Sequence, residues 1–305
     1  MIQKNYQLLT IGHLNYDYII NTQKFTGVNA SQTIDNLQKY DGGAAANAAL
    51  VAAETVPSAF YTIVGEDFQK SQYFQKIKNH ENCLGILERV NDKTSICFVI
   101  TDNNSDCKRV CLNGASDRFL NLEAPKRYID KAKIIHITTV PPVFALKCAK
   151  YASEKGITVS FNPGQSLRLY SRKQMMEMLE YVDFIFGNEY EIDYIYNELN
   201  LRVLRDYHVP YMITTQGDKG SLIECSVGSA WNILPYKTKL IDSTGAEDAY
   251  IGAFLAAYLE KKDINECGHF ASATSSFITE KEGCQTNIPT LQQVNERLNN
   301  EEQNT

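Results

Sequence analysis

Short apolar runs alternate with longer stretches of helical periodicity through the second half of this chain, and that alternation limits the fold more than any other feature. KIIHIT from Lys133, ITVSF from Ile157, VDFIFG from Val182 and PYMITT from Pro210 are each five or six residues rich in β-branched and aromatic side chains. Runs of that length, bounded by turn residues, read as buried strands. Between them lie helical stretches near residues 144–155 and 172–180 and one starting at Asn188. Strands alternating with helices predict βαβ units, hence an α/β fold with a mostly parallel central sheet flanked by helices. SLIECS and SAWNILP then read as an antiparallel pair, and residues 245–300 as almost wholly helical.

The first half begins in the same way, with a strand over residues 6–11, an alanine-rich helix opened by Gly42-Gly43, the strand SAFYTIVG and the helix EDFQKSQYFQKIKNH. Two segments break the alternation. YDYII and ASQTIDNLQKY, within about 14–40, read as strands, as do CLGILERV, SICFVIT and CKRVCL within about 83–112. Strands without intervening helices predict a small separate sheet made by two excursions from the main body.

Composition excludes several classes of function. A chain of 305 residues that is 44% hydrophobic can bury a large core, and 22% charged residues with a net charge of −6 give no basic surface for nucleic acid or anionic membrane. No apolar run approaches a membrane span and the N-terminus is too polar for a signal peptide, so a cytoplasmic protein is expected. The eight cysteines (83, 97, 107, 111, 148, 225, 267 and 284) form no C-x-x-C pair. They are expected as thiols, neither a zinc site nor a disulfide framework. His136, inside IIHIT, is expected as a core residue.

Ligands of open α/β sheets gather at the carboxyl ends of the strands. The loops there are Gly12-His13-Leu14-Asn15-Tyr16-Asp17, Asp41-Gly42-Gly43 with Asn47 one turn on, Asn162-Pro163-Gly164-Gln165, Asn188 with Glu191, and Thr215-Gln216-Gly217-Asp218-Lys219-Gly220. Each has an ordinary structural reading: paired glycines make turns, and Asn188 caps a helix. The dinucleotide G-x-G-x-x-G and the P-loop G-x-x-x-x-G-K-[ST] are both absent.

The last such loop opens DSTGAEDAYIGAFLAAYL, residues 242–259. Small and apolar residues recur there at helical spacing, predicting a helix that begins at Thr244 as N-cap. Free N–H groups at a helix start, backed by the dipole, form an anion site, and Asp248 beside them suits a general base. A capped helix with acidic residues in its first turn is the structural alternative.

This segment resembles the signature D-T-x-G-A-G-D of the ribokinase-like (PfkB) carbohydrate kinases, with Glu247 where the family has glycine. GHLNYD is similar to that family's opening G-x-x-x-x-D, GGAAAN to G-G-x-x-x-N, GNEYE to N-x-x-E and TQGDKG to T-x-G-x-x-G. The matches run in order through nearly the whole chain, which implies one ribokinase-like kinase domain over 1–305 with a small β-sheet lid. It implies transfer of the ATP γ-phosphoryl group to a hydroxymethyl oxygen, with Asp248 as base and the amides of Gly245, Ala246 and Glu247 as anion hole. Asp17, Gly42, Gly43 and Asn47 would bind the acceptor, and Asn188, Thr215, Gly217 and Gly220 the nucleotide. Magnesium would be held through water by Glu191. Asp242 and Thr244 match positions that bind a monovalent cation in some members, and lids of the family often pair as homodimers.

FNPGQSLRLY and GCQTNIPT lean towards the archaeal nucleoside kinases, with ribokinase- or fructokinase-type sugar kinases as the alternative. Tyrosines, 18 in all, would suit stacking on a base. A catalytically weak binding relative is a further alternative, raised by Glu247. Two geometries are open for that residue. Thr244 and Glu247 have the spacing of a capping box; otherwise Glu247 points away from the anion, towards a metal ion. The expectation is an active enzyme slowed by Glu247.

Overall fold

The computed structural model describes residues 5–25, 27, 29–102 and 107–302. Thirteen strands are present among them: β1 (Leu8–Ile11), β2 (Asn15–Thr22), β3 (Asn36–Gly42), β4 (Ser58–Gly65), β5 (Cys83–Val90), β6 (Ser95–Asp102), β7 (Cys107–Leu112), β8 (Ile134–Thr138), β9 (Thr158–Asn162), β10 (Phe184–Asn188), β11 (Tyr211–Thr215), β12 (Ser221–Cys225) and β13 (Ala230–Ile233). Nine of them form one sheet in the order β13-β12-β11-β10-β9-β8-β1-β4-β5. Pairing is parallel from β11 through to β5, and β12 and β13 add an antiparallel edge. The apolar runs are explained by burial on both faces. Leu8 and Ile134 point to one side, while their successors Leu9 and Ile135 point to the other.

The helices are α1 (Ala44–Ala52), α2 (Gln72–Asn79), α3 (Lys126–Ile129), α4 (Pro142–Glu154), α5 (Arg172–Leu179), α6 (Glu189–Asp193), α7 (Val203–Tyr207), α8 (Ala246–Leu259), α9 (Ile264–Ile278) and α10 (Leu291–Glu302). One core cluster unites Leu9, Ile135 and Phe161 with Phe144 of α4 and Met175 of α5. The other unites Leu8, Ile134 and Phe184 with Phe254 of α8 and Ala271 of α9. Helix α8 is apolar on every side and buried throughout Ala249–Ala257, as a helix enclosed by neighbours must be. It packs on α1 so closely that a Cβ at Gly252 would strike the Ala48 carbonyl. Alanine-rich α1 and Gly252 together permit this approach.

A four-stranded sheet, β3-β2-β6-β7, stands apart from the main one. The expected small sheet is therefore present, with two corrections. β5, expected within it, pairs in parallel with β4 at the edge of the main sheet. The second strand begins at Asn36, not at residue 30. Residues 26, 28 and 103–106 of the expected segments lie outside the described residues.

The cysteine expectation also needs correction. Cys97 and Cys111 oppose one another directly across β6 and β7, with Cα atoms 4.2 Å apart, and form a disulfide. Cys83, Cys148, Cys225, Cys267 and Cys284 are buried thiols, as expected. His136 is a core residue: its Nδ1 lies 2.9 Å from Ser160 Oγ, and burial lowers its pKa to about 3. No helix of the described residues is long and apolar enough to cross a membrane.

Candidate active site

The carboxyl ends of β1, β8, β9, β10 and β11 open onto two adjoining cavities. The first, of about 310 Å³, lies between these strand ends and the small sheet. Asp17, Gly43, Asn47, Asn188, Glu191, Gly245 and Asp248 line it, together with Arg109 and Cys111 from β7. The second, of about 550 Å³, is lined by Thr215, Gly217, Gly220, Tyr236, Ala246 and Ser272, among others. Asn188, Ser243 and Glu247 border both. The N-terminal turn of α8 thus stands where the two cavities meet.

That turn differs from its expected form. Gly245, not Thr244, caps α8, with φ 80°, a left-handed conformation that glycine adopts without strain. A Cβ there would lie 2.6 Å from the Cys284 Cβ. The Thr244 hydroxyl is turned away and donates to Asp242 Oδ1 at 2.6 Å, as does its N–H at 2.9 Å. Asp242 Oδ2 accepts from the Gly283 N–H at 2.9 Å, so this carboxylate clasps the turn to the 279–290 loop. The capping box between Thr244 and Glu247 is therefore not formed. Of the three expected anion-hole amides, that of Ala246 donates to the Ser243 carbonyl at 3.2 Å.

Freed from the box, Glu247 extends towards β9 and β10. Its Oε1 accepts from Asn162 Nδ2 at 3.1 Å, and the same amide approaches Glu191 Oε2 at 3.4 Å. Asn188 and Glu191 do form a capping box on α6. Burial, then repulsion from Glu191 and Asp248, pushes the Glu247 carboxyl well above the usual range. Glu191 is raised as well, chiefly by burial. Among the described residues no salt bridge reaches either carboxylate. Two crowded carboxylates with hard oxygen donors and no protein cation fit a magnesium–phosphate group between the cavities.

Asp248 sits deeper, its Oδ2 accepting from Asn47 Nδ2 at 2.9 Å. Burial raises its pKa to about 6, against the opposing pull of that hydrogen bond. Asp17, on β2, has its Oδ1 bonded by Asn15 Nδ2 at 2.6 Å and its Oδ2 by the Cys284 thiol at 3.3 Å. Gly42 leaves the space this carboxylate fills. Each Asp17 oxygen keeps a lone pair for an acceptor hydroxyl. His13, stacked 6.0 Å from Phe119, is held neutral by burial, with its pKa lowered to about 4.

A sequence model described as pfkB family carbohydrate kinase matches residues 5–291. The chain belongs to this family. As a PfkB kinase it is an ATP-dependent phosphotransferase acting on a hydroxyl group. It is 37% identical over 296 residues to the nucleoside kinase of Methanocaldococcus jannaschii, covering 96% of each chain. It is 36% identical over 286 residues to the nucleoside kinase of Methanothermobacter thermautotrophicus, covering 92% of each. The crystal structure of the M. jannaschii nucleoside kinase, an archaeal member of the ribokinase family, superposes with a TM-score of 0.89 over 97% of this chain and 99% of that one. The ribokinase-like fold expected from the motifs is thereby borne out.

Every residue expected at the PfkB site except Gly42 and Asp242 is at a cavity wall. Sequence reasoning missed much of the second wall. Ser272, Ser275, Ser276 and Thr279 line it from α9 and just beyond, and their helical spacing is a signal that could have marked one polar face. Arg109 and Cys111 carried no such signal, because their place depends on the pairing of β6 with β7.

Proposed function

We propose that this PfkB kinase phosphorylates the hydroxymethyl group of a nucleoside, with Asp248 as general base. The observation that carries the reading is the meeting of two cavities at the start of α8, with Asp248 on one side and open nucleotide-sized space on the other. Its likeness to the two archaeal nucleoside kinases favours a nucleoside over a free sugar. Ile96, Val99 and Leu112 in the first cavity would cover the flat faces of a base, which a free sugar lacks.

Asp17 and Asn47, beside Gly42 and Gly43, would hold the ribose hydroxyls. Asp248 would accept the proton of the attacking hydroxyl as the new O–P bond forms and the β–γ bridging bond breaks, releasing ADP. The amides opening α8 would face the charge on the transferred group. Asn188, Thr215, Gly217 and Gly220 would line the ATP side. Magnesium, when bound with ATP, neutralises phosphate charge, and Glu191 with Glu247 would hold it through water. Asp242, already clasping its turn with Thr244, keeps a lone pair for a monovalent cation, which replacing potassium by choline tests. The four-stranded sheet would act as a lid, and exposed Leu37 and Val110 on it would support pairing of two lids, testable by sedimentation. A cytoplasmic place of action is proposed from the use of ATP and the five thiols buried among the described residues.

The experiment is ADP release with ATP and magnesium against a panel of nucleosides and free sugars. The reading expects nucleosides to give the higher kcat/KM. Preference for ribose or fructose would replace it with a sugar kinase, and no turnover with either would point to the binding relative.

A further inference from the structure

From the wall of the first cavity to α2, four side chains form a continuous line that ends on Asp248. Lys76 Nζ, on α2, donates to Gln285 Oε1 at 2.9 Å. Gln285 Nε2 donates to Asn47 Oδ1 at 2.8 Å, and Asn47 Nδ2 to Asp248 Oδ2 at 2.9 Å. The line is directional for a chemical reason. An ammonium only donates, so the Gln285 oxygen must face Lys76 and its nitrogen must face Asn47. The Asn47 oxygen then accepts, and its nitrogen is left to face Asp248.

Tyr73 fixes the same orientation independently. Its hydroxyl donates to the Gly42 carbonyl at 3.0 Å and so has only lone pairs to offer Gln285, whose Nε2 lies 2.6 Å away. Gln285 and Tyr73 are buried, and rotation of either amide would set oxygen against oxygen where burial makes an unpaired polar group costly. We propose that Gln285 and Lys76 are positioning residues that lock the Asn47 amide with its N–H2 group towards Asp248. The inference rests on the reading of Asp248 as the base. It adds the device that keeps that base aimed.

Asp248 is also faced by Asp17 of β2, Glu191 of α6, Glu247 of its own helix and the Cys284 thiol. The charged neighbours are all acidic, so the Asn47 donor is the contact that favours the carboxylate. The test compares wild type, Gln285→Leu, Lys76→Met, Lys76→Arg and Asp248→Asn, reading kcat and the KM for ATP. Removing the lock is expected to lower kcat about 10- to 100-fold, the worth of a hydrogen bond to a charged group. The KM for ATP should be unchanged. Lys76→Arg keeps a donor-only cation and is expected to retain kcat. Should Gln285→Leu fail to fold, Lys76→Met carries the test, since Lys76 touches neither Asn47 nor Asp248. Unchanged kcat in Gln285→Leu and Lys76→Met, or a loss of kcat in Lys76→Met that Lys76→Arg shares, overturns the proposal. Full activity in Asp248→Asn instead removes the base, and with it the reading beneath.

Discussion

Replacing Asp248 by asparagine should disable the kinase and make it more stable. The carboxylate lies at the wall of the first cavity, bonded by Asn47 of α1, where burial raises its pKa from 3.8 to about 6. Folded protein therefore binds more protons than the unfolded chain between those two values. Stability falls as pH rises through that window, and the penalty is complete above about pH 6. At about 1.36 kcal/mol per pH unit, a shift of roughly two units amounts to about 3 kcal/mol. Asparagine has the same shape, still accepts from Asn47 and carries no charge, so at pH 8 the variant should gain up to about that amount. With an unfolding entropy of about 2.1 cal/mol/K per residue, the gain is roughly 5 °C in Tm. At pH 3, below both values, the two proteins should melt together. Calorimetry without ligands at both pH values checks this. Phosphoryl transfer, measured in parallel, should fall by about 10²–10⁴-fold, the usual contribution of a general base. A variant less stable than wild type at pH 8, or a gap independent of pH, would refute the burial reasoning. Activity within threefold of wild type would remove Asp248 from the role.

Asp17→Ala should weaken acceptor binding far more than ATP binding, measured by separate titrations, because its free lone pairs face only the first cavity; equal losses would mark a structural role. Glu247→Gln should raise the magnesium concentration needed for half-maximal rate while raising Tm without magnesium, since it relieves repulsion with Glu191; an unchanged magnesium requirement would detach Glu247 from the metal. Gly245→Ala, forced into a left-handed conformation against Cys284, should cost about 1–3 kcal/mol in chemical denaturation and lower kcat as well. Wild-type kcat/KM should fall as pH drops through about 6, following protonation of Asp248.

How far the sequence could be read depends on how local the determining physics is. Strands β8, β9 and β10 are buried on both faces, so their apolar runs stand out without any knowledge of their partners. β5 does not: at a sheet edge, its partly exposed CLGILERV resembles a lid strand, and only the pairing with β4 separates the two. The start of α8 misled for a similar reason. Thr244 and Glu247 have capping-box spacing, but the turn is set by Asp242 and Gly283, 41 residues apart, and by Cys284 against Gly245. The Cys97–Cys111 bond depends on strand register. Gln285 belongs to no spacing pattern, and only the surrounding donors and acceptors reveal its task.

The contact between Asn47 and Asp248 joins residues 201 positions apart, across helices packed backbone to backbone at Gly252. A ribosome adding about 5–20 residues per second needs roughly 10–40 s to travel that distance. Through that interval the nascent polypeptide holds its first signature without the last. With Asp248 as the proposed base, phosphoryl transfer would have a birth time: it would switch on only once α8 has emerged and docked.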